Sequence, residues 1–365
     1  MRLNRLARVV AAMAVAMLVC TPALSQSQTL IEITGSVTSF DEAFGSVGTS
    51  ITTQDLQEAG IAVGDLVELQ MSGHTLEIPV LSDLFPYLPQ YLPGVLLWGN
   101  AYVGGWYTNI AEEYGVALGD GIVIRLLQDD GYLDEIAERE VHHVAERGEC
   151  SSDEEYSNFR EVSSGDIQSG VLFRSSHPAD GSVKATYTHT LMLQAGVRTI
   201  INVGASWNDP QQAFDHSEYY KARGDEGAVL ATNIGLAVTW PHFKAELARV
   251  LRFIIDQSPP YLIHCSLGQD RTGIAIAVLE GLAGADLQDI VDDYALTFAN
   301  YYRVGPDHPL YPEVVEQVLS KLREMNGGTD VTSEDLQTTI EHYLTEEVGL
   351  SESEILLLQE KLSGS

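Results

Sequence analysis

The sequence predicts an α/β fold, with a central and mainly parallel sheet flanked by helices and a helical C-terminal tail, preceded by a small β-rich module. Two observations lead to this prediction. After residue 156, short apolar runs alternate with segments of helical periodicity. Before residue 131, short β-rich runs alternate with glycine-containing turns. We therefore expect a β-rich module at residues 29–130, a polar linker at 131–155 and an α/β domain at 156–362.

The β-rich module carries a faint internal repeat. Residues 29–33 and 66–69 have the composition of strands. Residues 60–69 are echoed by residues 115–124, and each copy has the pattern of a glycine turn that leads into a strand. Two such copies predict a small pseudo-symmetric barrel or sandwich.

Three short apolar runs in the α/β domain, at residues 171–173, 199–203 and 261–264, have the length and composition of buried strands. Between the last two runs, residues 243–255 place their apolar side chains at helical spacing. The C-terminal part of the chain continues in the helical pattern, which predicts the helical tail.

The chain is strongly acidic. Its 365 residues include 20 lysines and arginines against 52 aspartates and glutamates, which gives a formal net charge of -32 at pH 7. Such a surface repels nucleic acids and anionic lipids unless a local basic patch is present, and none is visible in the sequence. We therefore expect no nucleic-acid partner and attribute the acidity to a salty or extracellular habitat.

The first 25 residues have the pattern of a cleavable signal peptide. A positively charged start precedes an apolar run at 9–20 that is too short to span a bilayer, and the small residues Ala23 and Ser25 follow it. We expect cleavage after Ser25 and a periplasmic or secreted protein without a stable membrane anchor. Only Cys150 and Cys265 remain after cleavage, so we expect no disulfide framework.

Residues 263–273, between a predicted strand and an apolar helix, are Ile-His-Cys-Ser-Leu-Gly-Gln-Asp-Arg-Thr-Gly. A strand–loop–helix turn of this kind points consecutive backbone N–H groups into one concavity, where the positive end of the helix attracts an anion. The same field favours the thiolate of Cys265, which is the nucleophilic form. The segment therefore predicts a phosphate-binding loop with a cysteine nucleophile.

Two further side chains of this loop have predicted roles in the same chemistry. Arg271 can curl back over the loop and hold two phosphate oxygens with its planar guanidinium. Thr272 can donate its hydroxyl to the sulfur and stabilise it as a thiolate and as a leaving group. The residues expected to bind the phosphate are Ser266, Leu267, Gly268, Gln269, Asp270 and Arg271.

The loop resembles the signature His-Cys-x-x-Gly-Lys-Asp-Arg-Thr-Gly of the bacterial tyrosine and phosphoinositide phosphatases. The resemblance extends over about residues 156–362 and includes segments 170–176, 195–201, 292–294 and 343–351. It implies a tyrosine-phosphatase-like catalytic domain that hydrolyses phosphomonoesters through a cysteinyl-phosphate intermediate. It also implies that no metal or organic cofactor is needed.

The chain departs from the family pattern at two places. Gln269 stands where the family has a lysine, a cation proposed to suit multiply phosphorylated lipid headgroups. Together with the acidity of the chain, this makes phosphoinositides a poorer substrate prediction. Asn202-Val203-Gly204 replaces the family's Asp-Leu-Arg, so any contact made by that arginine is missing.

Asp270 is the predicted general acid, which protonates the leaving group. In the resembling family an aspartate at this place is thought to serve as the acid. Residues 231–235, where conventional phosphatases carry an acid on a movable loop, contain no carboxylate. Trp240-Pro241-His242 resembles the usual Trp-Pro-Asp, which leaves His242 as an alternative, and a structural role for Asp270 also stays open.

Two other side chains are expected to support the loop. His264 can tune Cys265 or bond the backbone. Arg174, on the first predicted strand of the α/β domain, can bond the loop or form an internal salt bridge. His142, His143 and Cys150 lack a fourth ligand at a known spacing, so no metal site is predicted.

The sequence therefore predicts an exported cysteine-dependent phosphatase whose substrate is a phosphorylated protein, as with phosphotyrosine, or a small phosphomonoester. Two alternatives stay open. The loop can bind phosphorylated ligands without turnover. Alternatively, the protein is a thiol redox or arsenate-reductase-type enzyme that uses Cys150 as its resolving thiol.

Overall fold

The computed structural model describes residues 31–41, 43–89, 92–105, 108–205 and 209–364. The predicted signal peptide lies outside these residues. Glu32–Ser365 form one compact unit. Within the part of the chain that is described, no helix has both the length and the apolar character needed to cross a membrane.

Seven strands of the N-terminal half close into a barrel. They are β1 (Glu32–Phe40), β2 (Val47–Thr52), β3 (Leu66–Met71), β4 (His74–Leu81), β5 (Pro93–Trp98), β6 (Asn100–Gly105) and β7 (Gly121–Gln128). Their order is β1–β2–β6–β5–β4–β3–β7, and β7 pairs with β1 to complete the closure. The pairs are antiparallel except for β4 and β5. The β-rich pattern thus corresponds to a closed barrel.

The two copies of the internal repeat form equivalent units of this barrel. Each copy follows a short helix, either α1 (Thr53–Ala59) or α2 (Ile110–Glu113). In each turn an aspartate, Asp65 or Asp120, accepts a hydrogen bond from the backbone N–H three residues before it, at 2.8 and 2.9 Å. The turns lead into β3 and β7, which lie side by side as antiparallel neighbours.

The second half is built on a five-stranded sheet. Its strands are β8 (Arg160–Val162), β9 (Leu172–Ser175), β10 (Thr199–Asn202), β11 (Val229–Ala231) and β12 (Tyr261–His264), in the order β11–β10–β12–β9–β8. Four of them run parallel, and β8 is an antiparallel edge. The predicted apolar runs correspond to β9, β10 and β12, so the mainly parallel sheet agrees with the sequence pattern.

Helices connect the strands and form the tail. They are α3 (Leu133–Glu138), α4 (Asp153–Ser157), α5 (Val183–Gln194), α6 (Asp209–His216), α7 (Glu218–Asp225), α8 (Pro241–Asp256), α9 (Asp270–Leu282), α10 (Leu287–Tyr302), α11 (Tyr311–Met325), α12 (Leu336–His342) and α13 (Glu352–Leu362). A 3₁₀ turn at Arg147–Glu149 precedes α4, and a π-helical turn at Tyr343–Glu347 follows α12.

Alternate residues of the parallel strands face two separate cores, as expected for a sheet covered on both sides. Ile200 and Leu262 belong to the smaller core, which includes residues of α5, α6 and α7. Ile201 and Ile263 belong to the larger core, which includes residues of α8 to α13. The central helix α9 is buried along most of its length.

The barrel is packed into the larger core rather than tethered beside it. Phe85, which follows β4, is 9% exposed, and its ring centroid lies 5.2 Å from that of Phe298 and 4.9 Å from that of Tyr302. The connecting segment is also anchored to the tail helices, because Arg139 forms a salt bridge of 2.5 Å with Glu313. The two halves therefore share one interior.

Replacement of Phe85 by alanine is expected to destabilise the whole chain by about 3 kcal/mol, because it leaves a cavity between the barrel and α10. Urea unfolding of the purified protein measures this loss. Phe40→Ala is the matched control in the same barrel, since Phe40 is 37% exposed, and should change the free energy of unfolding by less than about 0.5 kcal/mol. Equal effects of both changes would contradict the shared core.

Candidate active site

The candidate site lies where the parallel strands end. Ser175, Asn202 and His264 are the last residues of β9, β10 and β12, and they are register neighbours across the sheet. Cys265 follows β12 directly. The carboxyl edge of a parallel sheet is the usual position of ligand sites in α/β folds. The predicted nucleophile thus lies at the edge where a site is expected.

The loop that begins at Cys265 turns its carbonyl groups outward. Each carbonyl oxygen from Cys265 to Gln269 has a hydrogen-bond partner. These partners lie away from the concave side of the loop or in the following helix. The acceptor and partner pairs are Cys265 with His264 Nδ1 (3.2 Å), Ser266 with His177 N (3.0 Å), Leu267 with Tyr301 Oη (2.8 Å), Gly268 with Arg174 Nη2 (2.7 Å) and Gln269 with Gly273 N (2.7 Å).

The backbone N–H groups of the loop consequently point to the opposite side. In a planar trans peptide the N–H is directed away from the preceding carbonyl. Among the described residues, none accepts a hydrogen bond from the backbone N–H of Ser266, Leu267, Gly268, Gln269 or Arg271. Helix α9 begins immediately after, which adds its positive end. The loop therefore forms a cradle of donors for an anion.

Gly268 makes this loop geometry possible. Its φ is +67°, a left-handed conformation that favours glycine. A Cβ at this position would lie 2.1 Å from the carbonyl oxygen of Ser175. The glycine predicted from the motif is thus required both by the backbone conformation and by the close approach to β9.

A buried ionic cluster fixes the loop from behind. The side chain of Arg174 is fully buried, forms an ion pair with Asp293 on α10, and donates to the Gly268 carbonyl. Asp293 also pairs with Arg160 at 2.6 Å. Burial alone would raise the pKa of Asp293, but the two guanidinium groups hold it below its usual value. Arg174 therefore both forms the internal salt bridge and bonds the loop.

Asn158 completes this cluster and was not predicted from the sequence. Its Nδ2 donates to the carbonyl of Gly268 and to Thr297 Oγ1, both at 3.1 Å, and its Oδ1 accepts from Arg160 at 2.5 Å. The residue lies at the end of α4 with a φ of +49°, which asparagine tolerates. A lone asparagine in a polar segment gave no signal of this role.

Cys265 and Arg271 meet at Gly204, just after β10. A Cβ on Gly204 would lie 2.6 Å from Cys265 Cβ and 2.9 Å from Arg271 Cζ. Asn202 fixes this turn, because its Oδ1 accepts from the Gly204 N–H at 3.0 Å. The Asn-Val-Gly sequence, where the chain departs from the family pattern, therefore brings backbone without a side chain against two residues. These are Cys265, the predicted nucleophile, and Arg271, which is predicted to bind the phosphate.

The guanidinium of Arg271 has no carboxylate partner in the described part of the chain. Its Nη1 makes only long hydrogen bonds, 3.4 Å to the Gly204 carbonyl and 3.3 Å to Asn233 Oδ1. The ring of Phe44, from the barrel, lies over it at 5.2 Å from Cζ to the ring centroid. In a chain with a net charge of -32, this cation remains available to an anionic ligand.

Asp270 and Arg271 open into a pocket of about 280 Å³. The half-buried carboxyl of Asp270 accepts from Gln269 Nε2 at 3.1 Å. Burial raises its pKa to about 6; Gln269 and Arg271 oppose this shift, and Asp83 adds to it. Tyr302 donates to Gln269 Oε1 at 3.1 Å, so this side chain is held between Tyr302 and Asp270. A carboxyl with such a pKa can donate and accept a proton near neutral pH.

The barrel forms most of the wall of this pocket, which the sequence did not predict. Of the described residues that line it, ten belong to the barrel half and five to the α/β half. The barrel residues are Asp41, Ala43, Phe44, Ser46, Asp83, Leu84, Leu96, Trp98, Gly104 and Gly105. The others are Leu236, Ala237, Trp240, Asp270 and Arg271. The wall is mainly apolar and aromatic, with carboxylates among it.

Three other predicted side chains have defined positions. The buried hydroxyl of Thr272 has no hydrogen-bond partner among the described residues, so the expected bond to sulfur is not formed here. His264 contacts Tyr220 Oη at 3.1 Å through Nε2 and the Cys265 carbonyl through Nδ1, which supports the backbone role. His242 Nε2 contacts the Asn233 carbonyl at 2.7 Å and does not line the pocket.

Cys150 and one acidic cluster, like Cys265 itself, are not among the residues that line this pocket. Cys150 and Cys265 are free, buried thiols, and burial raises the pKa of Cys150, which disfavours it as a resolving nucleophile. Within the described ranges, Asp65, Asp129 and Asp130 have carboxylate oxygens within 4.8 Å of one another and could hold a cation. None of these three lines the pocket.

Asp293→Asn should destabilise the protein by about 3 kcal/mol, because it leaves two buried guanidinium groups without their counterion. It should also weaken binding of a tetrahedral oxyanion, since the loop loses its rear support. Urea unfolding and tungstate titration measure the two effects. Asp292→Asn, the exposed neighbour, is the control and should change neither. A stable Asp293→Asn protein with unchanged tungstate affinity would contradict the supporting role of the cluster.

Comparison with known proteins agrees with this geometry. Residues 153–364, more than half of the chain, match the tyrosine phosphatase family. No curated protein is significantly similar in sequence. Similar solved structures include the crystal structure of an uncharacterized conserved protein from Thermotoga maritima, which is 18% identical with a TM-score of 0.24 over 30% of this chain and 40% of that chain. The chain belongs to the tyrosine phosphatase family.

Proposed function

We propose that this protein is a cysteine-dependent phosphatase that hydrolyses phosphomonoesters through a phosphocysteine on Cys265. One observation carries the proposal: Cys265 meets at Gly204 the guanidinium of Arg271, which has no carboxylate partner among the described residues, and the carbonyls of their loop are bonded outward. This arrangement offers a nucleophile, a ring of N–H donors and a bidentate cation to one phosphate group. We also propose, from the sequence of residues 1–25, that the protein is exported.

The first step transfers the phosphoryl group to the enzyme. The Cys265 thiolate attacks phosphorus in line, the bond to the leaving oxygen breaks, and Asp270 gives that oxygen its proton. The loop N–H groups and Arg271 stabilise the charge on the three equatorial oxygens. No electron is transferred, and the leaving group departs as an alcohol or phenol.

The second step regenerates the enzyme. Asp270, now ionised, accepts a proton from a water that attacks phosphorus, and the S–P bond breaks to release inorganic phosphate and the thiolate. Thr272 would act in this step by donating to the sulfur. Its buried hydroxyl has no partner among the described residues, a state that costs about 1–3 kcal/mol and that this bond would relieve. Cys265 and Asp270 thus act in both halves of the cycle.

The pocket favours an ester of one phosphate with an apolar or aromatic group, such as phosphotyrosine. Its walls are mostly apolar, and Asp41 and Asp83 would repel further phosphates. Gln269, held by Tyr302 and Asp270, adds no cation that could compensate. Phosphorylated proteins and small aryl phosphates are therefore the proposed substrates.

The reduced mature protein should hydrolyse para-nitrophenyl phosphate equally well with and without EDTA. Cys265→Ser should lower kcat by at least about 1,000-fold, because the hydroxyl is a far weaker nucleophile at neutral pH. Release of nitrophenolate measures turnover, and Cys150→Ala is the matched control, with full activity expected. A wild type that binds tungstate but releases no nitrophenolate would instead support a phospho-ligand-binding module.

The pH profile should reveal Asp270. Its carboxyl must be protonated to act as an acid, so kcat/KM should fall as pH rises above about 6, the raised pKa of this group. Asp270→Asn should remove this basic limb and lower kcat by about 100-fold on phenyl phosphate. The loss should be smaller on para-nitrophenyl phosphate, whose leaving group needs less protonation. An unchanged basic limb in Asp270→Asn would assign the acid to another group.

A further inference from the structure

A short barrel turn, formed among the described residues by Asp41 and residues 43–46, faces the catalytic loop. Its conformation is fixed by its own hydrogen bonds. Asp41 Oδ1 accepts from the backbone N–H of Ala43 at 2.9 Å and of Phe44 at 3.1 Å, and the Gly45 N–H donates to the Asp41 carbonyl at 2.7 Å. A side-chain-bonded turn of this type needs no ligand to order it. Phe44 is thus presented on a rigid base.

Two glycines let this turn approach the α/β half closely. A Cβ on Gly45 would lie 2.4 Å from Trp240 Cη2, and a Cβ on Gly235 would lie 2.3 Å from the Ala43 carbonyl oxygen. Both glycines have positive φ, +66° and +72°. One glycine lies on each side of the contact, so Gly45 fits against the Trp240 side chain and Gly235 fits against the Ala43 carbonyl.

Phe44 contacts Arg271 in a way that leaves the cation free for a ligand. The half-buried ring lies 5.2 Å from Arg271 Cζ, within the range of a cation–π attraction. A carboxylate in this place would compete with phosphate for the guanidinium N–H groups. An aromatic ring attracts the charge but accepts none of its in-plane hydrogen bonds. The other described contacts of the guanidinium are two long hydrogen bonds, so the ring is well placed to restrict it.

We propose that the barrel is part of the catalytic site and that Phe44 is a positioning residue, which holds the Arg271 guanidinium ready for the oxygens of a bound phosphate. This inference rests on the proposed function of the loop. It gives the N-terminal barrel a role in the chemistry. A side chain from outside the tyrosine-phosphatase-like segment would then set the affinity for the phosphoryl group.

The test is the affinity of the reduced full-length protein for tungstate, a tetrahedral oxyanion, measured by calorimetry. Phe44→Leu removes the ring but keeps an apolar side chain, and should weaken binding about three- to tenfold. Phe44→Tyr keeps the ring and should bind within about twofold of the wild type. Phe40→Leu makes the same chemical change on the exposed face of the barrel and should leave the affinity unaltered.

A double-mutant cycle separates positioning from mere packing. In an Arg271→Ala background, Phe44→Leu should have no further effect on tungstate affinity, because the group it positions is gone. Additive effects of the two changes would overturn the inference, and so would a Phe44→Leu protein that binds tungstate as the wild type does. If Phe44→Leu does not fold, Phe44→Met provides the same comparison.

The failure of this inference can be told from the failure of the proposed function. Tungstate binding needs no turnover. A wild type that binds tungstate without hydrolysing phosphate esters would therefore overturn the proposed function, while the tungstate affinity of the Phe44 variants would still test the role of Phe44. A wild type that binds no tungstate would overturn both. A matching fall in kcat/KM for para-nitrophenyl phosphate in Phe44→Leu would extend the binding result to the reaction.

Discussion

The outward orientation of the carbonyls from Cys265 to Gln269 is the constraint on which the site depends. A loop without such partners would have no reason to point every N–H to one side, because some of its carbonyls would turn to that side and form hydrogen bonds with water. Here those carbonyls are bonded by α9 and by groups such as Arg174 and Tyr301, which belong to other elements. The loop therefore loses the conformational entropy needed to order the anion cradle during folding, before any ligand binds.

The acidity of the chain makes the distribution of its few cations informative. Arg160 and Arg174 are committed to Asp293 and serve as structural donors. Arg271 is kept free of carboxylates in the described part of the chain, and its neighbours are backbone, an amide and an aromatic ring. Two arginines thus stabilise the loop from behind, while a third lines the pocket. The division keeps a cation available in a strongly anionic protein.

Local patterns were enough to predict the buried strands β9, β10 and β12 and the glycine-containing loop that follows β12. Gly268 and Arg174 could be placed because their motifs are contiguous with β12 and β9. Asn158 and Phe44 could not, because each acts on the loop through contacts between segments far apart in the sequence. The sequence also predicts residues 29–130 as a separate module, because no local pattern indicates that Phe85 packs against residues of α10. Periodicity identifies which side of a helix or strand is buried, but not which other part of the chain covers that side.

A site built in this way has little need of a closing loop. Asp270, the proposed acid, lies within the loop, so it is carried by the same rigid turn as the nucleophile and Arg271. The opposite wall is supplied by the barrel, which contacts the α/β half where Gly45 lies against the Trp240 side chain and Gly235 lies against the Ala43 backbone. Because the two halves share one core, motion of that wall would require the interior to be disrupted as well. We therefore expect a preformed pocket, in which fixed aromatic and acidic surfaces, rather than closure over the substrate, set the proposed selectivity.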